Sequence, residues 1–554
     1  MNTPALLRRG AFLLCTLCTL ALALVSDAKT IPIPTAKNSG ITIQMTPAFD
    51  EWNGNGFMPV LIEISNSTPY QGNWEVSIFS KTQLPYRFSV PPGGTFREII
   101  YLNQNLGEDY RDIRTSWEGT AIERKAASSI SLTDNPGWRT REEYSYIGEK
   151  SLPAKQATSF EDAIKDNGNW NASFSIMDWP ADPRVYTSKE ILIVPEETFT
   201  NRIDTPHRQA ILDWVATGGV LWLVTNDKNL KKPIQNHQFG RILHLPDIEE
   251  LSLKERKDFL DTLIKDTRKN LQKMPNCQPT ITNQEALAYK LGEPSMFLGF
   301  LLFVFALLAG PVSLKYWAPV GKRQRLFVII PSLALVFSSI LAVAILFSEG
   351  IGGQGIRKTR ILLFPDSHSA FICQNQICRT GVIIGQSFPL DEKVDMKSSR
   401  ITNITETSMG MEHEGNYVRN RSTASGNWFP DRSMLKQSLG TFTQTRARVT
   451  LLPESRDRAP VLLSTFPTSL SNVIFRDEHG QFWKIPNLPT GTKVSAQPVE
   501  KPNQQYKDMQ ENTFLADAEK NDKLGPIPSH PDIHWNQDTI QVTGPVSIQP
   551  STTR

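Results

Sequence analysis

Two long apolar segments place the strongest constraint on this chain. Residues 296–318 and 326–347 are nearly uncharged, and each is long enough to cross the hydrocarbon core of a bilayer as a helix. The sequence therefore predicts a two-helix transmembrane hairpin over residues 293–348. The alternative is a buried helical pair in the core of a soluble domain.

The connection between these segments is basic. It carries Lys322, Arg323 and Arg325, Lys315 lies shortly before it, and it contains no acidic residue. The positive-inside rule predicts that this loop is cytoplasmic, which puts the N- and C-terminal domains on the periplasmic or extracellular side of an inner (cytoplasmic) membrane. Neither segment contains Asp, Glu or His, so the hairpin is predicted to be an anchor without a proton relay or channel.

The N-terminus has the pattern of a secretory signal peptide. Arg8 and Arg9 precede an apolar run over residues 11–25, and residues 26–28 supply the small side chains of a cleavage site. We therefore expect residues 1–28 to be removed, an uncleaved anchor helix being the alternative. Of the five cysteines, Cys15 and Cys18 would leave with this segment.

The composition argues against nucleic acid as a partner. The 59 Lys and Arg nearly balance the 56 Asp and Glu, for a formal charge of +3, whereas a nucleic-acid binder usually presents a strongly basic face. A length of 554 residues predicts several domains.

The exported part begins with a pattern typical of short antiparallel strands. Apolar residues alternate with polar ones over residues 60–64 and 74–78, with turn residues at 53–56 and 91–94. We predict a β-sandwich over residues 29–128.

Residues 129–292 are predicted to form an α/β domain. Residues 191–194 and 220–224 are short apolar runs typical of buried parallel strands, and between them Thr205-Pro206 and Gly218-Gly219 mark the two ends of a helix. In such sheets ligands bind beyond the carboxyl ends of the strands. Glu196, Glu197 and His207 follow the first strand and form the candidate polar site.

Several strings resemble one group of bacterial membrane proteins. They are residues 190–195, 210–223, 239–242 and 310–312, with Pro331 in the second apolar segment. The group combines a periplasmic β-sandwich, a class I glutamine-amidotransferase-like domain with a flavodoxin-like α/β fold, and a transmembrane hairpin. Because some members resemble proteins encoded beside MoxR-type ATPases, the resemblance implies an envelope protein partner linked to such a system.

An active amidotransferase of this class needs a cysteine on a tight strand-to-helix turn. Residues 220–224 instead run into Thr225-Asn226-Asp227, and Cys277, the cysteine within the predicted domain, lies in a Pro-flanked stretch. We therefore predict no catalytic residue of that mechanism and no cofactor.

A second β-sandwich is predicted over residues 349–499. Cys373 and Cys378 bracket four residues read as a turn, which predicts a hairpin disulfide in an oxidising compartment and leaves Cys277 over. The weaker alternative is a metal site, for which only residues 412–414 (Glu-His-Glu) offer further ligands, so no metal is predicted. Residues 500–554, rich in Pro, Gln, Asn and Asp, are predicted to be an extended or disordered tail.

The sequence as a whole thus predicts a multidomain α+β membrane protein: β-sandwich, α/β domain, hairpin and second β-sandwich. The function expected is that of a non-enzymatic, membrane-anchored scaffold or binding protein of the envelope. One alternative is a hydrolase of envelope glycans or peptides that uses Glu196, Glu197 and His207. A sensor that signals through the hairpin is the third, and it would need a partner inside the cell.

Overall fold

The computed structural model divides into two compact units, one that ends at Asn276 and one that begins at Cys277. Two three-residue stretches of the earlier part of the chain, Lys81–Gln83 and Leu106–Glu108, group with the second unit. The described residues are 31–33, 39–47, 56–79, 82–103, 112–119, 128–131, 144–148, 168–171, 181–187, 191–225, 234–245, 277, 279–282, 285, 296–349, 351–385, 387–400, 417–452, 459–499, 506, 509–521 and 523–548. The predicted signal peptide and the possible ligands at 412–414 lie outside them.

The first unit opens with antiparallel strands in two sheets. One has the order β1-β2-β3-β6, and the other contains β5-β4-β7-β8. The strands are β1 (Ile31–Ile33), β2 (Ile41–Pro47), β3 (Phe57–Asn66), β4 (Gly72–Phe79), β5 (Thr82–Val90), β6 (Thr95–Asn103), β7 (Asp112–Gly119) and β8 (Ser128–Ser131).

Alternation explains the sandwich-like packing of these strands. Every second residue of β2 and β3 is buried, because successive side chains of a strand point to opposite faces. These residues share one core with Phe88, Val90 and Ile100. The buried members from β2 and β3 are Ile41, Ile43, Met45, Val60, Ile62 and Ile64.

The first unit also contains a six-stranded sheet of order β10-β9-β11-β12-β14-β13, parallel except for β13. Its parallel strands, in chain order, lie 2-1-3-4-5, an order found in doubly wound α/β sheets. The elements are β9 (Tyr144–Gly148), β10 (Gly168–Asn171), a 3₁₀ helix (Pro183–Tyr186), β11 (Ile191–Pro195), a π-helix (Thr198–Arg202), α1 (Thr205–Ala216), β12 (Val220–Val224), β13 (Ile234–His237) and β14 (Gly240–Leu245).

Helix α1 begins and ends where its sequence predicts. The side chain of Asp204 caps its N-terminus by accepting a hydrogen bond from the backbone N–H of His207 at 3.1 Å, and Pro206 stands in the first turn. Gly218 follows with a φ of +127°, which only glycine adopts without strain. The buried face of α1, with Ile211 and Trp214, packs in the same core as β11 and β12.

The second unit contains two apolar helices, each long enough to span a membrane. The first comprises α2 (Met296–Leu307), which continues as a π-helix over Leu308–Trp317, and the second is α3 (Leu326–Glu349), preceded by a 3₁₀ turn at Arg323–Arg325. Pro311 lies inside the π-helical stretch, and its missing N–H accounts for the wider turn. The rings of Phe305 and Phe337 meet edge to face at 5.3 Å and join the two helices.

The rest of the second unit is sheet. A nine-stranded sheet has the order β18-β21-β16-β15-β29-β28-β24-β25-β27, a four-stranded sheet has the order β26-β23-β22-β30, and β17, β20 and β19 pair in that order. The strands are β15 (Gly353–Phe364), β16 (Ser369–Thr380), β17 (Ser387–Pro389), β18 (Asp395–Arg400), β19 (Tyr417–Arg419), β20 (Thr423–Gly426), β21 (Met434–Gln444), β22 (Val449–Leu451), β23 (Val461–Ser464), β24 (Leu470–Arg476), β25 (Phe482–Leu488), β26 (Lys493–Ser495), β27 (Gln497–Pro498), β28 (Thr513–Ala518), β29 (Ile533–Pro545) and β30 (Ser547–Ile548).

The prediction of an extended or disordered tail over residues 500–554 is wrong for the part that the structure describes, residues 506, 509–521 and 523–548. Its strand β29 lies inside the nine-stranded sheet, parallel to β15 and antiparallel to β28. Ile533, Ile540, Val542 and Phe514 are buried in the main core of this unit. The polar composition of the segment belongs to the exposed residues of β29, whereas Ile533, Ile540 and Val542 of the same strand are buried.

The predicted hairpin disulfide between Cys373 and Cys378 is also wrong. No bond joins the two thiols, and both residues lie on one continuous strand, β16. Five residues of extended chain span about 17 Å, whereas the Cα atoms of a disulfide lie within about 7 Å. An odd separation also puts the two side chains on opposite faces of the sheet.

Candidate functional site

Polar side chains gather at the carboxyl edge of the parallel sheet in the first unit. Val194 of β11, Leu223 of β12 and His244 of β14 occupy aligned positions on neighbouring strands. Aligned residues of parallel strands point to the same face. Glu196 stands two residues after Val194, beyond the end of β11, and therefore reaches the same face as His244.

Glu196 and His244 form the carboxylate–imidazole pair of this edge. Oε1 of Glu196 lies 3.6 Å from Nδ1 of His244, and the imidazole side chain is only 10% exposed. Neither ring nitrogen of His244 has a hydrogen-bond partner among the described residues. A buried, unsatisfied polar group is costly, so this imidazole is available to a water molecule or a ligand.

The other two predicted site residues have different surroundings. Glu197 is exposed and stands before the π-helix, and its side chain accepts no hydrogen bond from the first backbone N–H groups of that helix. His207 pairs through Nδ1 with Oδ1 of Asp204, the N-cap of α1. The hydrogen bonds from His207 hold the pKa of Asp204 below its usual value. Of the three predicted site residues, therefore, Glu196 lies next to His244, Glu197 is exposed, and His207 contacts the N-cap of α1.

The arrangement allows proton transfer but supplies no described nucleophile. A carboxylate beside an imidazole orients the ring. The residue that follows β12 is Thr225, which is buried, and the sequence from 29 to 276 contains no cysteine. Among the described residues no three His, Cys, Asp or Glu side chains lie close enough together to hold a metal ion.

Sequence reasoning did not pair His244 with Glu196, because His244 looks isolated in sequence. The available signal was that His244 stands near the carboxyl end of β14. Because β14 runs parallel to β11, His244 lies at the same edge of the sheet as Glu196, which follows β11. Identifying it requires the strand order, since β12 lies between β11 and β14. The third histidine of this region, His237, lies on β13, where burial lowers its pKa.

Comparisons with known proteins identify no family. No protein-family model matches the chain, and no curated protein matches it. Among solved structures, the yeast delta-COP-I mu-homology domain complexed with a Dsl1 WxWxV peptide is 13% identical, with a TM-score of 0.17, over 36% of this chain and 98% of that domain.

Two glycosidases also align. An exo-chitosanase of Amycolatopsis orientalis is 7% identical with a TM-score of 0.15, over 91% of this chain and 63% of the enzyme. A β-D-mannosidase from Dictyoglomus thermophilum is 10% identical with a TM-score of 0.13, over 83% and 74% of the two chains. Similarity at this level carries no argument about function.

Proposed function

We propose that this chain is a non-enzymatic, membrane-anchored envelope protein that acts as a scaffold or binding protein through exported domains. The observation that carries the proposal is the helical hairpin. Its apolar side chains point outward along most of both helices, as with Phe303 and Phe327, which are 63% and 85% exposed. A surface of this kind is stable in hydrocarbon and unfavourable in water.

The charge of the hairpin supports one orientation. Lys315, Lys322, Arg323 and Arg325 cluster at the turn between the helices, which we assign to the cytoplasmic face of an inner (cytoplasmic) membrane. A chain that crosses twice returns to the side from which it came. Both the region before and the region after the hairpin would then be exported.

We further propose that the parallel sheet is a degenerate class I glutamine-amidotransferase-like domain. The strand order 2-1-3-4-5 supports this assignment, as do the strings quoted above. Thr225 takes the place after β12 where that class would carry its cysteine. A domain of this kind retains its surface while lacking the nucleophile, which favours binding over turnover.

Site-directed photo-cross-linking in cells tests the scaffold proposal. A photoreactive residue replaces Tyr70 in the first unit or Ile384 in the second, which are 76% and 66% exposed, and Val320 in the turn serves as the matched control. We expect one stoichiometric envelope protein, or a component of a MoxR-type system, to be captured from Tyr70 or Ile384 and not from Val320. Capture of no partner from either position would contradict the proposal.

The second candidate is a hydrolase of envelope glycans or peptides, which the pairing of Glu196 with His244 favours. In this reading the imidazole takes a proton from water, and the carboxylate stabilises the charged ring. Purified full-length protein would then release products from peptidoglycan fragments, and the His244→Gln variant would lose at least tenfold of that rate. His207→Gln is the matched control, and equal rates in all three proteins would exclude the pair as catalytic.

A further inference from the structure

Two buried cysteines from distant parts of the sequence meet in the second unit. Cys373 on β16 is fully buried, and Cys277 is 5% exposed. The thiol of Cys373 donates to the carbonyl oxygen of Cys277 at 2.9 Å. The two side chains also hydrogen-bond to each other.

The residues that follow Cys277 lie along β16 in a regular register. We call the described residues 277, 279–282 and 285 the pre-membrane strap, because α2 begins shortly after them. Cys277 contacts Cys373, the carbonyl of Pro279 accepts from Nδ2 of Asn375 at 2.6 Å, and Ile281 packs in a cluster with Ile377. Every second residue of the strap therefore lies against every second residue of β16, and all three contacts are on the same face of the sheet.

The neighbouring strand β15 holds the same strap. Nη1 of Arg360 donates to the carbonyl of Cys277 at 3.4 Å, and Nζ of Lys358 donates to that of Thr280 at 3.1 Å. Lys358 also forms an ion pair with Glu285 at 2.8 Å. These contacts fix the position of the backbone of Cys277 over the sheet, so the approach of the two thiols does not depend on the thiols alone.

We propose that Cys277 and Cys373 form a disulfide in the exported protein, which ties the pre-membrane strap to the sheet. The proposal rests on the export assigned under the proposed function, because such bonds persist in oxidising compartments. The two thiols lose two protons and two electrons as the S–S bond forms. A disulfide-bearing thiol oxidoreductase accepts them and leaves as the dithiol.

The burial of the pair determines when the bond forms. Burial, and then contact with Cys277, raises the pKa of Cys373 well above its usual value, so the folded protein contains almost no thiolate at this position. Oxidation therefore takes place while the strap is still closing. The bond would close a loop that contains both membrane helices, and both ends of the hairpin would then be attached to one sheet.

Cys378 serves as the internal control. It lies on the same strand, is fully buried, and projects from the opposite face of the sheet. Burial raises its pKa to about 12. We expect its thiol to stay reduced in the same molecule.

Peptide mapping of the full-length protein tests the proposal. Free thiols, including the buried thiol of Cys378, are blocked with N-ethylmaleimide in a denaturing detergent at lysis, and the purified chain is digested with trypsin without reduction. Cleavage after Lys273 and Lys290 isolates Cys277, and cleavage after Arg360 and Arg379 gives one peptide with both other cysteines. The expected product is peptide 274–290 linked to peptide 361–379, with the maleimide on Cys378 by fragmentation.

Three cysteine variants sharpen the result. Cys277→Ser and Cys373→Ser should each abolish the linked product, whereas Cys378→Ser should keep it. Peptide 361–379 closed on itself, with Cys277 carrying maleimide, would overturn the proposal. All three thiols carrying maleimide in a protein shown to be exported would also overturn it.

A second measurement, of membrane topology, distinguishes failure of the proposed export from failure of the disulfide proposal. Alkaline phosphatase fused after Arg554 is active only outside the cytoplasm. An inactive fusion together with reduced thiols would overturn the proposed export, and the disulfide with it. An active fusion with reduced thiols would overturn the disulfide alone and leave the export standing.

Discussion

The guanidinium of Arg184 lies over the ring of Tyr101, with 4.1 Å between the guanidinium carbon and the ring centroid. Tyr101 belongs to β6, and Arg184 belongs to the 3₁₀ helix before β11, so this contact joins the two parts of the first unit. Asp182 holds the guanidinium through Nη2 at 2.6 Å and accepts a hydrogen bond from the Tyr101 hydroxyl. Burial, with a contribution from Asp182, raises the pKa of Tyr101.

We expect Arg184→Ala to destabilise the first unit by about 2–4 kcal/mol, because it removes a stacked cation and leaves Asp182 three-quarters buried without its main partner. The matched control is Arg97→Ala on β6. Arg97 pairs with Glu63 at 3.1 Å but is 71% exposed, so its loss should cost less than about 1 kcal/mol. Urea unfolding of full-length protein in detergent, followed by limited proteolysis, measures both. Equal midpoints for the two variants would contradict the role of the stack.

Gly240 begins β14 where the strand passes the end of α1. A Cβ atom at this position would lie 1.8 Å from the carbonyl oxygen of Val215 and 2.4 Å from that of Gly219. Both obstacles are backbone atoms, so Gly240→Ala should cost about 3 kcal/mol or more. Gly299→Ala, where no atom lies within 4 Å of the added methyl group, is the control. Proteolysis of the first unit at rising temperature measures the loss, and full resistance in Gly240→Ala would show that β14 can shift.

Local sequence patterns predicted helix ends and buried strands of the first unit, because certain residue types are strongly preferred at those positions. Pro206 and Gly218 mark the ends of α1, although the N-cap is Asp204, one residue before the predicted Thr205. The apolar runs of β11 and β12 are buried strands as expected. The apolar length of α2 and α3 likewise predicted two helices able to cross a membrane. Each of these signals depends on neighbours in sequence.

Long-range pairing was not predictable in the same way. Strand β29 is polar in composition, and its place beside β15 depends on partners roughly 180 residues away. The short spacing of Cys373 and Cys378 suggests a hairpin turn between them, whereas both lie on one continuous strand with their side chains on opposite faces. The pairing of Glu196 with His244 is of the same kind, since it follows from strand order.

The hairpin prediction concerns insertion into the membrane. Leu335 and Ile340 lie near the middle of α3 and are exposed, Leu335 to 72%. Replacing both with Lys should raise the insertion free energy by about 5–7 kcal/mol, since a lysine at a helix centre costs roughly 2.5–3.5 kcal/mol. Val320→Lys adds the same kind of charge to the basic turn and should be tolerated. Alkaline phosphatase fused after Arg554 measures the insertion of α3, because a chain anchored by α2 alone would leave its C-terminus in the cytoplasm and the fusion inactive. Full phosphatase activity in the double variant would argue that α3 does not span.

Glu285 makes the attachment of the pre-membrane strap sensitive to acid. The hydrogen bond from Lys358, then the backbone N–H of Thr282, hold the pKa of Glu285 below its ordinary value of 4.5. A lowered folded pKa means that this stabilisation is complete above pH 4.5 and is lost as the pH falls through the folded value. Glu285→Gln should therefore lower the urea midpoint of the second unit at pH 7, and the difference from the unchanged chain should shrink below pH 4.5.

The control for this titration is Glu392→Gln, at an exposed carboxylate in the turn before β18. Its midpoint at pH 7 should lie close to that of the unchanged chain, since Glu392 is exposed and the hydrogen bond from this residue to the carbonyl of Arg421 is made by its backbone N–H, which the substitution keeps. A difference between the unchanged chain and Glu285→Gln that stays constant down to pH 3 would mean that the carboxylate keeps no lowered pKa in the folded state. The strap would then be held by the contacts of Arg360 and Asn375 with its backbone, which do not titrate in this range.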